Sequence, residues 1–531
     1  MKDVTRDERW WAGAVLYQLY VRSWQDSDGD GFGDLPGVID KLDYLSWLGV
    51  DGVWLSPTMA SPDHDWGYDV SDYMSVHPEL GTLADLDRLV AEAGRRDMRV
   101  LLDLVPNHTS DEHPWFVEAR SSRDAPHRNW YVWAEPGPNG EPPNNWRDAS
   151  GDSAWTLDAV TGQFYLHNFL PSQPDLNWWD PAVHDAFEEI IRFWFDRGVA
   201  GFRIDVAHGL YKDAALRDNP SLPPGQLVGG ISGQEQRYSA NRPETHEVFR
   251  SWRKIAEEYE PPKLLLGETV TPDAERLARF YGQDDELQLG FNFPFMVAGF
   301  TAPELSKVVR ETLGQLPAGA VPVWTISNHD KSRFTTRWCS GNDAKAALAL
   351  TVLLTLPGTI VIYYGDEIGM TDVEVPVELQ RDDMFLGGRG GHPSRDGART
   401  PMQWEPSPTG GFTTAGTTAW LPLGDARTRN VADQQEDPRS LLSLCRRLVE
   451  IRRRHLKGHD GTYQQLSSTE HQWAYRIGDV VVAANFSEEP GELVRQPGLL
   501  LASSLGGRTP EDPVGGVLHL AGWEAVVVQS R

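Results

Sequence analysis

The chain has 531 residues, 40% of them hydrophobic and 24% charged, with 21 tryptophans and a formal net charge of −28. That length exceeds what a single core usually takes and suits a large domain with a smaller companion. The acidity argues against nucleic acid and anionic membranes as partners and favours a neutral substrate.

The first residues, "MKDVTRDERWWAGAV", are charged and lack a seven-residue apolar core, so they do not read as a signal peptide. A strand-like run, "AVLYQLYVR", then leads into "DSDGDGFGDLPG", four aspartates threaded through glycines. The helix that follows carries Leu35, Val38, Ile39, Leu42, Leu45 and Leu48 at helical spacing. Next come "GVWLSP", the helix "TLADLDRLVAEAGRRD" and the strand "MRVLLDLVP". After a long irregular stretch, "PAVHDAFEEIIRFWFDRG" leads into "AGFRIDV", and "HEVFRSWRKIAEEY" into "KLLLGE". The alternation continues through "DAERLARFYG" and "LQLGFNFP", "PELSKVVRETL" and "VPVWTISNHD", and "DAKAALALTVLLTL" and "TIVIYYG"; "PRSLLSLCRRLVEIRRRH" closes it. Eight short apolar strands in strict alternation with eight helices predict a (β/α)8 TIM barrel, an α/β fold whose strands are buried on both faces.

The longest apolar stretch, "AALALTVLLTLPGTIVIYYG", is broken by Pro357 and Gly358 and does not read as a membrane span. Cys339 and Cys445 stand far apart without metal-ligand spacing, which suits a reduced, cytoplasmic chain with neither disulfide nor zinc.

Two interruptions leave what would be the C-terminal face of the barrel. About 70 residues follow the third strand, far more than a connector needs, so 106–176 is expected to be an inserted subdomain. A second excursion, at about 366–404, follows strand eight and holds "GGRGGHPSRDGARTPMQW". The barrel itself is then expected over 1–105 and 177–458. Past that point "AYRIGDVVVAANFS" and "GWEAVVVQS" predict a C-terminal all-β sandwich over 459–531.

Barrel enzymes place catalytic groups at the C-terminal ends of their strands. Here those ends carry Asp205 in "GFRID", Glu268 in "LLGE" and Asp330 in "ISNHD", three acids aimed into one funnel. Arg203 shares the face of Asp205, two residues away, and is expected to keep it ionised. Glu268 follows an apolar run with no basic neighbour in sequence, which suits a general acid.

The ordered blocks "DLVPNHTS", "GFRIDVAHG", "LLGETV" and "ISNHD" resemble the four signature regions of the α-amylase family of glycoside hydrolases, family 13. "QPDLNWW" and "GARTPMQW" further resemble its α-glucosidase and oligo-1,6-glucosidase branch, and the resemblance spans essentially the whole chain. It implies Asp205 as nucleophile, Glu268 as acid/base and Asp330 as the third carboxylate, which binds sugar hydroxyls. It implies further that His108 and His329 contact glucose hydroxyls, that Arg203 orients the nucleophile and that Tyr68 stacks on the ring. Two carboxyls about 5–5.5 Å apart would give double displacement with retention. Asp65 and Arg399 match the pair that closes the pocket in this branch, which implies an exo-acting enzyme on short α-glucosides. An α-glucosyltransferase or an isomerase of the trehalose synthase or sucrose isomerase type shares the same covalent intermediate. No organic cofactor is implied.

The aspartate loop fails as an EF-hand, because position twelve, counted from Asp26, is Gly37 instead of a bidentate glutamate. Asp26, Asp28, Asp30, the carbonyl of Phe32 and Asp34 match the single structural calcium loop of the same branch. Val206 resembles the residue associated with α-1,6 preference, but "DVAHGL" departs from that pattern beyond it, so linkage is not read from the sequence. Oligomeric state is not legible either.

Overall fold

The computed structural model describes residues 9–223, 227–228, 231–232, 234–458, 462–494, 497–508 and 511–530. Eight parallel strands form one sheet: β1 (Val15–Leu19), β2 (Gly52–Leu55), β3 (Arg99–Leu104), β4 (Gly201–Ile204), β5 (Leu264–Gly267), β6 (Leu289–Gly290), β7 (Val323–Trp324) and β8 (Thr359–Tyr363). Their order is β6-β5-β4-β3-β2-β1-β8-β7. A parallel bridge between Phe291 and Val323 joins the two edges and closes the barrel.

The helices between these strands follow the apolar spacing of the sequence, with one difference. The run expected as a single helix after β1 is two, Leu35–Asp40 and Leu42–Leu48, because Lys41 leaves helical geometry at φ −103 and ψ 6. The first is capped by Asp34, which accepts from the Gly37 amide, with Pro36 in its opening turn, where the missing N–H costs nothing.

Along the barrel axis the inward side chains change character. Leu16, Trp54, Leu101, Leu264, Leu266, Leu289 and Val361 pack into one dry cluster with Trp10 and Trp11. Further along the same strands the inward positions become Gln18, Asp103, Arg203, Asp205 and Glu268, all buried. The apolar half holds the barrel shut by removing its surface from water, and the polar half makes the floor of a site. Ile204 pairs with Gly267 in the β4–β5 register, so the next residues, Asp205 and Glu268, reach the rim side by side.

The insertion after β3 contains a helix, Pro114–Ala119, and a three-stranded antiparallel sheet of Trp133–Ala134, Phe164–Leu166 and Trp155–Leu157. The excursion after β8 meets it: Arg389 donates to Asp152 at 2.8 Å. Gly390, at φ +66, lies so close to Ser150 that an added Cβ would stand 2.4 Å from its carbonyl oxygen, so only glycine fits. Toward the C-terminus a six-stranded and a two-stranded antiparallel sheet face each other. Leu493, Leu518 and Leu520 of the smaller pack against Ala474, Leu500, Val526 and Val528 of the larger. No described helix is long and apolar enough to cross a membrane.

Candidate active site

Two guanidinium groups organise the polar end of the barrel. Arg203, itself 1% exposed, donates from Nη1 to Asp103 at 2.8 Å and to Asp205 at 2.6 Å. Its Nη2 lies 3.0 Å from Glu268 Oε2. Two of the three acids predicted at the strand ends thus meet on one cation, with Asp103 as its third partner.

Glu268 Oε2 also accepts the Val206 amide at 2.9 Å. That bond needs a sharp bend after Asp205, and Val206 supplies it at φ +45, a conformation that costs a β-branched residue steric strain. The strain therefore sits between the two acids.

Arg203 is expected from its place on the strand to hold Asp205 at low pKa, and here the structure differs. Burial pushes the Asp205 carboxyl well above the usual range; Arg203 opposes this, while Glu268 and Asp103 add to it. Burial likewise pushes Asp103 up, to about 6, against the pull of Arg203. One cation stands against three buried carboxylates, and at Asp205 and Asp103 burial outweighs its pull.

The second hub is Arg395. Its guanidinium donates to Asp65 at 2.8 Å, Asp330 at 3.1 Å and Asp382 at 2.7 Å. This corrects the pairing read from the sequence. Asp65 is partnered by Arg395, whereas Arg399 donates to the His329 carbonyl at 2.8 Å and to Asp330 at 3.3 Å. Arg399 is fully buried beneath the site, with its guanidinium over the Tyr20 ring. Although burial works the other way, the neighbouring His329 ring and the Arg395 and Arg399 guanidinium groups hold Asp330 well below the carboxylate range. Burial keeps His329 down to about 3, so the fixed positive charge is that of the arginines.

Tyr68 and His329 tie the hubs together. The Tyr68 hydroxyl donates to Asp103 at 3.0 Å and lies 2.6 Å from His329 Nε2, with the two rings parallel. His329 Nε2 is 3.3 Å from Asp330, and its Nδ1 is 2.7 Å from the amide nitrogen of the buried Gln18. His108 Nε2 lies 2.9 Å from the Tyr68 carbonyl oxygen, and burial pushes its pKa down to about 4. Gln173, from the end of the insertion, donates to the second oxygen of Asp65 at 3.1 Å. All nine residues expected at the catalytic and substrate positions therefore belong to this one constellation.

Asp103, Gln173, Asp382 and Arg395 were not read from the sequence. Asp103 had a signal: it shares the inward parity of Leu101 and lies in register with Arg203. Asp382 and Arg395 lie in a glycine-rich excursion with no periodicity to read.

At the other end of the β1 loop, the carboxylates of Asp26, Asp28 and Asp34 come within 4.8 Å of one another. Asp30, expected with them, is not in that group. Its Oδ1 accepts the Phe32 amide at 2.7 Å, and the Phe32 ring faces Trp66 and Trp420. A second acidic group, Asp63, His77 and Glu79, is already filled by the Arg22 guanidinium, 2.6 Å from Asp63 and 3.0 Å from Glu79.

A closed parallel barrel with clustered carboxylates at its C-terminal rim has the architecture of a barrel enzyme. The α-amylase catalytic domain matches residues 18–460, and the chain belongs to that family, in the branch of the α-glucosidases and oligo-1,6-glucosidases. It is 42% identical over 463 residues to a probable α-glucosidase of Rhizobium meliloti (strain 1021), covering 84% of this chain and 83% of that one. An oligo-1,6-glucosidase of Parageobacillus thermoglucosidasius is 36% identical over 572 residues, covering 98% and 99%. Among solved structures, the α-glucosyl transfer enzyme XgtA superposes with a TM-score of 0.91 at 37% identity, covering 98% of this chain and 99% of that one. A variant of the trehalulose synthase MutB bound to Tris gives 0.89 at 32%, covering 98% and 100%.

Proposed function

We propose that this chain is a retaining, exo-acting α-glucosidase that releases or transfers glucose from the non-reducing end of short α-glucosides. The observation that carries the reading is the meeting of Asp205 and Glu268 on the Arg203 guanidinium, 2.6 and 3.0 Å away. Asp205 attacks the anomeric carbon while Glu268 gives a proton to the leaving oxygen, and a β-glucosyl ester forms. Glu268 then takes a proton from water or from a sugar hydroxyl, which displaces Asp205 and restores the α configuration. The roles require Glu268 to enter the first step carrying its proton and Asp205 to enter it ionised.

Asp330, kept ionised by Arg395 and Arg399, faces the glucose hydroxyls and the positive charge that develops on the ring. Neutral His108 and His329 serve as hydrogen-bond partners there, and Tyr68 stacks on the ring. The Asp65–Arg395 pair closes the pocket behind the terminal glucose and confines attack to chain ends.

Transfer is the second reading, favoured by the likeness to XgtA, described as an α-glucosyl transfer enzyme, and to the trehalulose synthase MutB. Isomerisation of a disaccharide would use the same intermediate with the released sugar as acceptor. Incubation with maltose, isomaltose, sucrose and trehalose, with products resolved by chromatography, tests the assignment. Free glucose is expected to dominate, with oligosaccharide transfer products beside it; a disaccharide isomer in excess over glucose would overturn the hydrolase reading.

We also propose that Asp26, Asp28 and Asp34 hold one calcium ion. Their hard oxygen donors within 4.8 Å suit calcium, and the ion would relieve their repulsion and stiffen the turn into the first helix. Both cysteines are free, in keeping with a cytoplasmic location.

A further inference from the structure

A groove of about 470 Å³ lies where the insertion after β3 meets the loop after β4, lined among others by Asn129, Trp133, Gln163, Asn177, Trp179 and Lys212. None of the residues of the two guanidinium hubs lines it. Trp179 is 45% exposed, the one aromatic ring among the strongly exposed large apolar side chains described. It is nevertheless fixed. Its indole N–H donates to the Lys212 carbonyl at 2.9 Å, its backbone amide donates to Asn177, and the ring meets Tyr211 edge-on at 4.8 Å. Trp133 forms part of the groove wall, held by a bond from its indole N–H to the Arg128 carbonyl and by the Arg128 guanidinium over its ring. An aromatic platform held rigid before any ligand arrives spares a ligand the ordering cost that weakens most contacts.

Most of the charges around the groove are already matched, and Arg128, which has no ion pair among the described residues, spends its guanidinium on Ala119, Thr161 and Gln163 and over the Trp133 ring. Lys212 lies 2.6 Å from Asp175, Arg123 lies 2.8 Å from Glu135, and Asp213 lies 2.5 Å from Arg217. On a chain of net charge −28 this patch keeps most of its charges paired, which leaves an ion little advantage. It does offer amides. The Asn129 side chain makes no hydrogen bond among the described residues, and Asn177 and Gln163 retain unused donor or acceptor capacity. A flat apolar face flanked by amides, with most charges paired, complements a molecule with C–H faces and a rim of hydroxyls.

We propose that this groove is a second carbohydrate site, with Trp179 as its platform, which binds a neutral gluco-oligosaccharide outside the catalytic pocket. The groove is argued from its own residues; that the sugar is glucose rests on the function proposed above.

Native electrophoresis through gels containing soluble starch or dextran tests this, with Glu268→Gln throughout so that the glucan survives. The protein is expected to be retarded by at least one glucan. Trp179→Ala and Asn129→Ala, each added to that background, are expected to weaken retention by about tenfold. In otherwise unaltered enzyme the same two substitutions should leave kcat/KM for 4-nitrophenyl α-glucoside unchanged. Asn129→Ala breaks no hydrogen bond of the fold, so it decides the matter even if Trp179→Ala misfolds. Absence of retardation on both glucans, or retardation that survives both substitutions and disappears with Asp65→Ala, would overturn the proposal. Failure of the glucosidase reading would appear separately, as no turnover of the aryl glucoside.

Discussion

Arg203 and Arg395 each gather three carboxylates, and Tyr68 and His329 link the two groups. Removing a buried charge leaves its partners uncompensated, at a cost of about 2–5 kcal/mol. Arg395→Ala should therefore lower kcat/KM on α-glucosides by at least about 30-fold. Steady-state kinetics that show an unchanged value would remove Arg395 from the pocket. A second residue-scale expectation concerns Asp366, buried just beyond β8. Burial pushes its carboxyl up to about 8, against the pull of Arg333 at 3.7 Å. In the unfolded chain the same group titrates near ~4. Between those values the folded state holds a proton that the unfolded state has lost. Its contribution is thus full below about pH 4 and falls by about 1.4 kcal/mol per unit until it levels off near pH 8. Asp366→Asn should flatten the fall in thermal stability between pH 5 and 8; parallel melting profiles for the two proteins would contradict this. Residue by residue, the sequence made the strand-end acids legible because a strand end fixes where a side chain points. It did not separate Arg395 from Arg399. They stand four residues apart in an excursion where no repeat tells which one turns inward.

At the scale of elements, the aspartate loop combines two devices that the sequence presents as one. Asp34 caps the first helix through the Gly37 amide, and Gly37 lies so close that a Cβ would stand 2.0 Å from the Gln25 carbonyl oxygen. These contacts hold the turn without any ion. Asp26, Asp28 and Asp34 are the part that calcium would neutralise. Chelation should lower the melting temperature of the unaltered protein and leave Asp28→Asn indifferent. Equal melting temperatures with and without chelator in the unaltered protein would set the calcium proposal aside. The gathering of Asp26, Asp28 and Asp34 was legible as spacing. That Asp30 folds back onto the Phe32 amide was not, because spacing says nothing of which carboxylates the turn brings together.

At the scale of the molecule, the barrel was legible because alternating strands and helices admit few closed arrangements. Even so, β6 and β7 are two residues each, and the barrel closes there through the single Phe291–Val323 bridge. Such short strands carry little pattern of their own and were readable only from the alternation around them. The meeting of the two excursions over the rim, through Arg389 and Asp152, had no counterpart in the sequence. What the whole architecture delivers is a pair of acids on one cation at the mouth of a closed barrel. The measurement that bears most directly on that pair is proton NMR of the glucose released in the first moments of 4-nitrophenyl α-glucoside cleavage, before mutarotation. The α anomer should appear first, as double displacement through Asp205 requires; the β anomer appearing first would mean that water attacks directly and that the covalent route is wrong.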